Sequence, residues 1–253
     1  MLDDPRLPPE LELRIFRIAA LARPTSIPTF MLVARRIKCW VESLLYRVVF
    51  LSDAGIDESR NLGLPTFAVD AFEQRSLDCL PHVRYLFIHK ALEQGTLQKW
   101  LLACTGVTNL YAQFVCTPAI LASLGGFTNV QYLTIDVRTL MGDTSPLPCF
   151  LSVTHLELLD FTAVEENVDR VCPNISLIPH LTHIALNSDL DTSLSHAALC
   201  ANTQLQCIVF LSTEEPSDGG PLLDDNRFVC IEEGFRYHMT SGKDFHYVEE
   251  DSD

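Results

Sequence analysis

His155, Glu157 and His183 are the side chains of this chain whose types could gather around a metal ion or move a proton. Two imidazoles and a carboxylate are good zinc ligands when they meet. A working site also needs a fourth position and groups that orient each ring. The sequence offers no such partners, and 28 residues separate the two histidines, so no metal is expected. Catalytic patterns are equally absent. Ser241-Gly242-Lys243 lacks the upstream glycines of a phosphate loop, and no G-x-S-x-G elbow occurs. Glu165-Glu166 lies in a polar stretch where nothing would shift its acidity. Nine cysteines are scattered without a C-x-x-C pair, which argues against zinc or redox chemistry. Several occupy apolar positions and read as reduced core thiols. The chain is expected to be a non-enzyme with no catalytic residue and no cofactor.

The segments that carry the two histidines belong to a repeat. A phrase h-x-x-h-x-h recurs as Val83-Leu86-Ile88, Val107-Leu110-Ala112, Val130-Leu133-Ile135, Val153-Leu156-Leu158, Leu181-Ile184-Leu186 and Leu205-Ile208-Phe210. Its middle residues are spaced by 24, 23, 23, 28 and 24 positions, within the roughly 20–29 residue period of leucine-rich repeats. One unit cannot bury its own apolar face, so the units must stack into a solenoid. A seventh phrase, Leu45-Val48-Phe50, offers an opening strand.

Helical spacing separates the strands. Leu97, Trp100, Leu101 and Cys104 form one apolar stripe. Thr117-Pro118 opens a second helix as cap and first turn, with Ile120, Leu121 and Leu124 inward and Gly125-Gly126 as the stop. A third helix is expected near 192–201, another over 165–170 with a loop around Pro173, and one near 66–79 after a loop at 52–65. The stretch 141–148 is expected to be irregular. The Asn or Cys ladder of many such arrays is missing: Ala91, Val115, Arg138, Phe161, Asp189 and Thr213 stand in its place. A short, shallow arc is the expected shape.

Side chains alternate along a strand, so the residues between the buried ones line the concave face. One column is predicted to hold Tyr85, Asn109, Tyr132, His155, His183 and Cys207; the next, Phe87, Tyr111, Thr134, Glu157, Ala185 and Val209. Aromatic groups on such a wall suit protein recognition. Tyr85, Phe87, Tyr111, Tyr132, His155, Glu157 and His183 are therefore the candidate contacts to a protein target of unknown identity.

Composition narrows the partners. A formal net charge of −15 without a basic stripe argues against nucleic acid. The acids crowd toward 214–225 and 249–253, which read as solvated ends. No apolar run approaches the ~18 residues of a membrane span, and Met1 to Pro5 lacks the features of a secretion signal. A cytoplasmic or nuclear location is expected, which leaves the sequon at Asn174 without meaning.

The first fifty residues depart from the repeat. Leu7-Pro8-Pro9-Glu10 opens a helix, with the prolines pre-setting its first turn and Glu10 suited to its positive end. Leu11, Ile15, Phe16 and Ala19 make an apolar stripe before Arg23-Pro24-Thr25-Ser26 breaks it. Helices over 27–32 and 33–45 follow, the last with Ile37, Trp40, Val41 and Leu44 packed. Three short helices share little interior, so part of their apolar surface is expected to stay uncovered and mark an interface.

This text, Leu7-Pro8-Pro9-Glu10-Leu11 through Ile15-Phe16, then Leu32 to Arg36 and Trp40 to Arg47, resembles the F-box. The wording is similar to F-box proteins with degenerate leucine-rich repeats that abound in mushroom-forming fungi. Asp225 to Val229 and Gly242 to Phe245 look similar to the closing strand and cap of those proteins. The resemblance implies a substrate receptor that ties a protein target to a cullin-RING ubiquitin ligase. It implies adaptor contacts of the Skp family at Leu7, Pro8, Leu11, Ile15, Phe16, Leu32 and Val33. Ile37 stands where many F-boxes carry tryptophan.

The expected architecture is thus α/β: a three-helix F-box-like module over 1–50, a connection over 51–80, a degenerate leucine-rich-repeat solenoid over 81–235, and a cap with an acidic tail over 236–253. The alternative is a non-catalytic repeat scaffold whose first helices only cap the open end, as any solenoid requires. An unrecognised hydrolase is a distant third.

Overall fold

The recurring phrase becomes a stack of parallel strands. The structure, a computed structural model, describes residues 7–52, 66–67, 77–89, 94–113, 117–140, 148–159, 171–187, 196–212 and 225–232. Its strands are β1 (Val48–Ser52), β2 (Thr66–Phe67), β3 (Tyr85–His89), β4 (Asn109–Gln113), β5 (Tyr132–Asp136), β6 (His155–Leu159), β7 (His183–Asn187), β8 (Cys207–Ser212) and β9 (Phe228–Glu232). They form one sheet in the order β2-β1-β3-β4-β5-β6-β7-β8-β9. Every described pairing is parallel. From β3 onward, sequence neighbours are spatial neighbours, as a solenoid-like α/β fold requires.

Register follows the apolar phrase. Leu86, Leu110, Leu133, Leu156, Ile184 and Ile208 pair rung to rung. All the residues of the six phrases are buried, none more than 4% exposed. The longer interval between β6 and β7 does not break the stack, since His155 pairs directly with His183.

Two sequence expectations are corrected here. The opening strand is out of step by one residue: Tyr46, Val49 and Leu51 are buried, with Val49 on Leu86 and Leu51 on Ile88. Leu45 belongs to the preceding helix and Phe50 faces the other way. A one-residue shift inverts every side chain in a strand, and Val48-Val49-Phe50-Leu51 is apolar on both faces, so alternation could not choose. The helix expected over 66–79 is corrected at its two ends: Thr66–Phe67 is a strand paired to β1, and a 3₁₀ helix runs from Leu77 to His82, while 68–76 lie outside the described residues.

The return legs are short and unequal. Helix α4 (Gln94–Ala103) buries Leu97, Trp100 and Leu101. Helix α5 (Pro118–Leu124) begins as expected, with Thr117 Oγ1 accepting the Ile120 N–H at 3.4 Å. The next leg holds two 3₁₀ helices, Val137–Leu140 and Pro148–Ser152. Helix α6 (Val171–Ile175) contains Pro173 in its first turn, where no N–H is missed; the expected loop there is a helix. Helix α7 (His196–Ala201) is the last of the described helices. The expected helix over 165–170, residues 141–147, the tail beyond 232 and most of the acidic stretch at 214–225 lie outside the described residues.

A different ladder replaces the missing asparagines. Each carbonyl just before a strand accepts two N–H groups from the next rung: Arg84 from Thr108 and Asn109, Gln131 from Thr154 and His155, Thr154 from Thr182 and His183. Where that position is threonine, its hydroxyl donates as well. Thr108 Oγ1 reaches Arg84 O at 3.2 Å, Thr154 Oγ1 reaches Gln131 O at 3.2 Å, and Thr182 Oγ1 reaches Thr154 O at 3.1 Å. The strand starts are thereby tied together, and their buried backbone groups satisfied.

Ahead of the sheet lie α1 (Pro9–Ala22), a 3₁₀ turn at Pro24–Ser26, α2 (Ile27–Met31) and α3 (Arg35–Leu45). Ala20, Ile27, Ile37 and Val41 form their own small core. Phe16 closes it with an edge-to-face contact to Phe30, 5.9 Å between ring centres. Glu12 and Arg36 bridge α1 and α3 through two hydrogen bonds, at 3.0 and 3.2 Å. Leu45 touches both interiors, and the chain passes from α3 into β1 within three residues.

Candidate protein-interaction surfaces

Two surfaces carry the candidate contact residues. The first is on the helices. Helices α2 and α3 are shorter than their spacing predicted: Leu32 and Val33 form a turn, hydrogen-bonded back to Thr29 and Phe30, and Ala34 is extended. That turn turns their side chains outward. Leu32 is 86% exposed and Val33 60%. Leu7, Pro8, Leu11 and Ile15 are exposed too, the last by 51%. Phe16 differs. It is half-buried against Phe30 and supports the helices from within. Ile18 and Leu21, also exposed, extend the apolar row along α1; their helical spacing from Ile15 was legible in the sequence.

The second surface is the sheet face opposite the core. Rung pairing aligns Val48, Tyr85, Asn109, Tyr132, His155, His183 and Cys207 in one column. Phe50, Phe87, Tyr111, Thr134, Glu157, Ala185, Val209 and Val229 form the next. Both predicted columns are thus contiguous, and β1 adds two members that the shifted register had hidden.

Ring stacking runs along both columns. Tyr132 lies 4.3 Å from His155, and His155 lies 4.2 Å from His183 with planes inclined by 11°. In the second column Phe50 stacks on Phe87 at 6.2 Å and Phe87 on Tyr111 at 5.9 Å. The separations in the second column fall within the roughly 4.5–7 Å range of favourable aromatic pairs, and the imidazole stacks of the first are slightly closer. The wall is graded: aromatic at its first rungs, polar at Thr134 and Glu157, and aliphatic at Val209, Val229 and Ile231, the last two exposed.

The histidines are held by the threonine ladder. Thr154 Oγ1 sits 2.9 Å from His155 Nδ1, and Thr182 Oγ1 sits 2.8 Å from His183 Nδ1. A hydroxyl has one proton. With that proton given to the preceding carbonyl, Nδ1–H donates to the hydroxyl and Nε2 is left as the acceptor. Burial, aided by the charge His183 would carry, holds the His155 pKa below its usual 6.5. Glu157 does not turn toward the imidazoles; it accepts the Thr134 hydroxyl at 2.7 Å. Rings stacked face to face direct their nitrogens side by side. Among the described residues no group of three His, Cys, Asp or Glu could hold a metal ion.

Cys39, Cys104, Cys149 and Cys207 are free thiols. Burial pushes Cys104 up to about 12 and Cys149 up to about 11, so neither is a thiolate near neutral pH. Asn174 donates its amide to the Leu140 carbonyl, which engages the sequon side chain within the fold. No described helix is long and apolar enough to cross a membrane. No protein-family model matches this chain, and no curated protein matches it.

Proposed function

We propose that this chain is a substrate-receptor subunit of a cullin-RING ubiquitin ligase. Its N-terminal helices, read as an F-box, bind a Skp-family adaptor, and the sheet face, read as a degenerate leucine-rich-repeat array, binds a protein target. The chain does no chemistry itself. It raises the local concentration of target lysines near a charged ubiquitin-conjugating enzyme, which accelerates transfer by proximity.

The observation that carries this reading is the outward turn at Leu32-Val33 together with the exposed row Leu7, Leu11 and Ile15. A helical module that only capped a solenoid would have no use for large apolar side chains on its outer side. Exposed patches of this kind mark interfaces. The capping reading is favoured by a separate feature: α3 leads directly into β1, and Leu45 joins both cores.

Co-purification with a Skp-family adaptor separates the two. Intact protein is expected to bind. The double change Ile15→Asp/Leu32→Asp is expected to abolish binding while leaving Tm unaltered, because neither side chain is needed for folding. No binding by the intact chain would leave the capping scaffold as the better account.

A further inference from the structure

Three arginines far apart in sequence line one cleft. Arg17 comes from α1, Arg47 follows α3 and Arg84 precedes β3; Ser43, Leu44, His82, Tyr85 and Thr108 complete a cavity of ≈ 390 Å³. Among the described residues no carboxylate lines it, in a chain whose formal charge is −15. Elsewhere among the described residues, Arg36, Arg138 and Arg227 each meet an acidic side chain, and Arg14, Arg23 and Arg35, which do not, are exposed on or beside the helices rather than gathered in a cleft. Among the described residues, Arg17, Arg47 and Arg84 have no carboxylate partner.

Two of the three cations are already positioned. Arg84 Nη1 donates to Gly106 O at 2.6 Å and to Pro81 O at 3.2 Å. Its Nε and Nη2 groups have no acceptor among the described residues. Gly106 permits this approach, since a Cβ there would lie 1.8 Å from Arg84 Nη1. The Arg47 guanidinium stands over the Tyr85 ring, 5.7 Å from its centre. Groups held before a ligand arrives lose little entropy on binding it.

We propose that this cleft binds a phosphate monoester. A carboxylate brings one charge and two oxygens, too few for three guanidinium groups. A phosphate monoester brings roughly −1.5 to −2 charges and three acceptor oxygens, which planar guanidinium forks match in pairs. The cavity also has the size of a small-ligand site, which runs from about 300 Å³ upward. The phosphate is carried either by a phosphorylated protein side chain or by a small free molecule; the chemistry is shared. The cleft opens at the amino ends of β1, β3 and β4, beside Tyr85, the first aromatic of its column. This inference does not depend on the adaptor.

The test uses the full chain alone, with calorimetry at low ionic strength. The probes are a random-sequence peptide mixture with one central phosphoserine, the same mixture with serine, and inorganic phosphate. The phosphorylated mixture is expected to bind at least tenfold more tightly than its serine counterpart. Arg17→Gln and Arg47→Gln, whose side chains support no backbone group, should each weaken it about tenfold with Tm unchanged. Salt should weaken it further. Phosphopeptide binding well above that of inorganic phosphate identifies a protein-borne source; equal binding identifies a free one. Absence of binding by every phosphate probe, or binding that persists when Arg17→Gln and Arg47→Gln are combined, overturns the proposal.

Discussion

His155 and His183 lie ring against ring, 4.2 Å between centres and 11° from parallel, although 28 residues separate them in sequence. Each is hydrogen-bonded at Nδ1 to the threonine that precedes it. Protonating both would place two positive charges at stacking distance. The pair is therefore a point of acid sensitivity in the sheet.

Stability should fall as pH drops through about 6.5. The folded-state pKa of His155 is depressed by burial and by His183, so below the unfolded value of ~6.5 the unfolded chain binds more protons than the folded one. Above that value the group contributes nothing to the pH dependence. His155→Asn should flatten the slope of denaturation midpoint against pH between about 5 and 7. An unchanged slope would place the acid sensitivity elsewhere.

Thr154→Val and Thr182→Val each remove a hydroxyl that donates to the previous rung and receives a histidine nitrogen. Each change should cost on the order of 1 kcal/mol in urea unfolding. The imidazole also loses its orienting partner, so His155 or His183 NMR shifts should move as well. A change in the midpoint without a change in the ring signals would count against the tautomer assigned here.

Two leucines should respond oppositely to truncation. Leu133 is buried at the centre of the stack, and Leu133→Ala should cost about 2–5 kcal/mol from lost transfer energy and a cavity. Leu32 is exposed in its turn, so Leu32→Ala should stay within about 0.5 kcal/mol. Equal effects would mean that the turn at Leu32 is packed in solution.

Arg227 closes the far end of the array. Its guanidinium donates to the carbonyls of Cys200, Asn202 and Leu205 at 2.6, 2.8 and 3.0 Å, and Asp225 grips it from the other side. That pairing holds the Asp225 carboxyl well below the usual carboxylate range. Arg227→Ala should lower Tm and speed amide exchange in α7 and β9 first. Arg227→Lys should restore only part, because a single ammonium cannot reach three carbonyls and a carboxylate as a planar fork does.

The sheet was legible in the sequence because its phrase is strict. Val, Leu and Ile at fixed spacing determine which face is buried, and the rung pairing of Leu86 to Ile208 follows from burying that face. The two columns on the opposite face follow in turn, since alternation leaves no freedom. Where the pattern was ambiguous the reading slipped: Val48 to Leu51 is apolar throughout, and only the burial of Tyr46, Val49 and Leu51 in the sheet core shows which register is taken. Pro173 looked like a loop residue because composition cannot tell a helix's first turn from a break.

By itself the chain determined a repeating parallel stack, an exposed apolar row on the first helix and the absence of catalytic patterns. Only the tertiary structure decided that Leu32 and Val33 turn outward, that Thr134 rather than a histidine engages Glu157, and that Arg17, Arg47 and Arg84 share a cleft. The physical reason is range. Burial periodicity is a local property written into every few residues, whereas the meeting of three arginines spread over 67 positions depends on how helices and rungs pack, which no local pattern records.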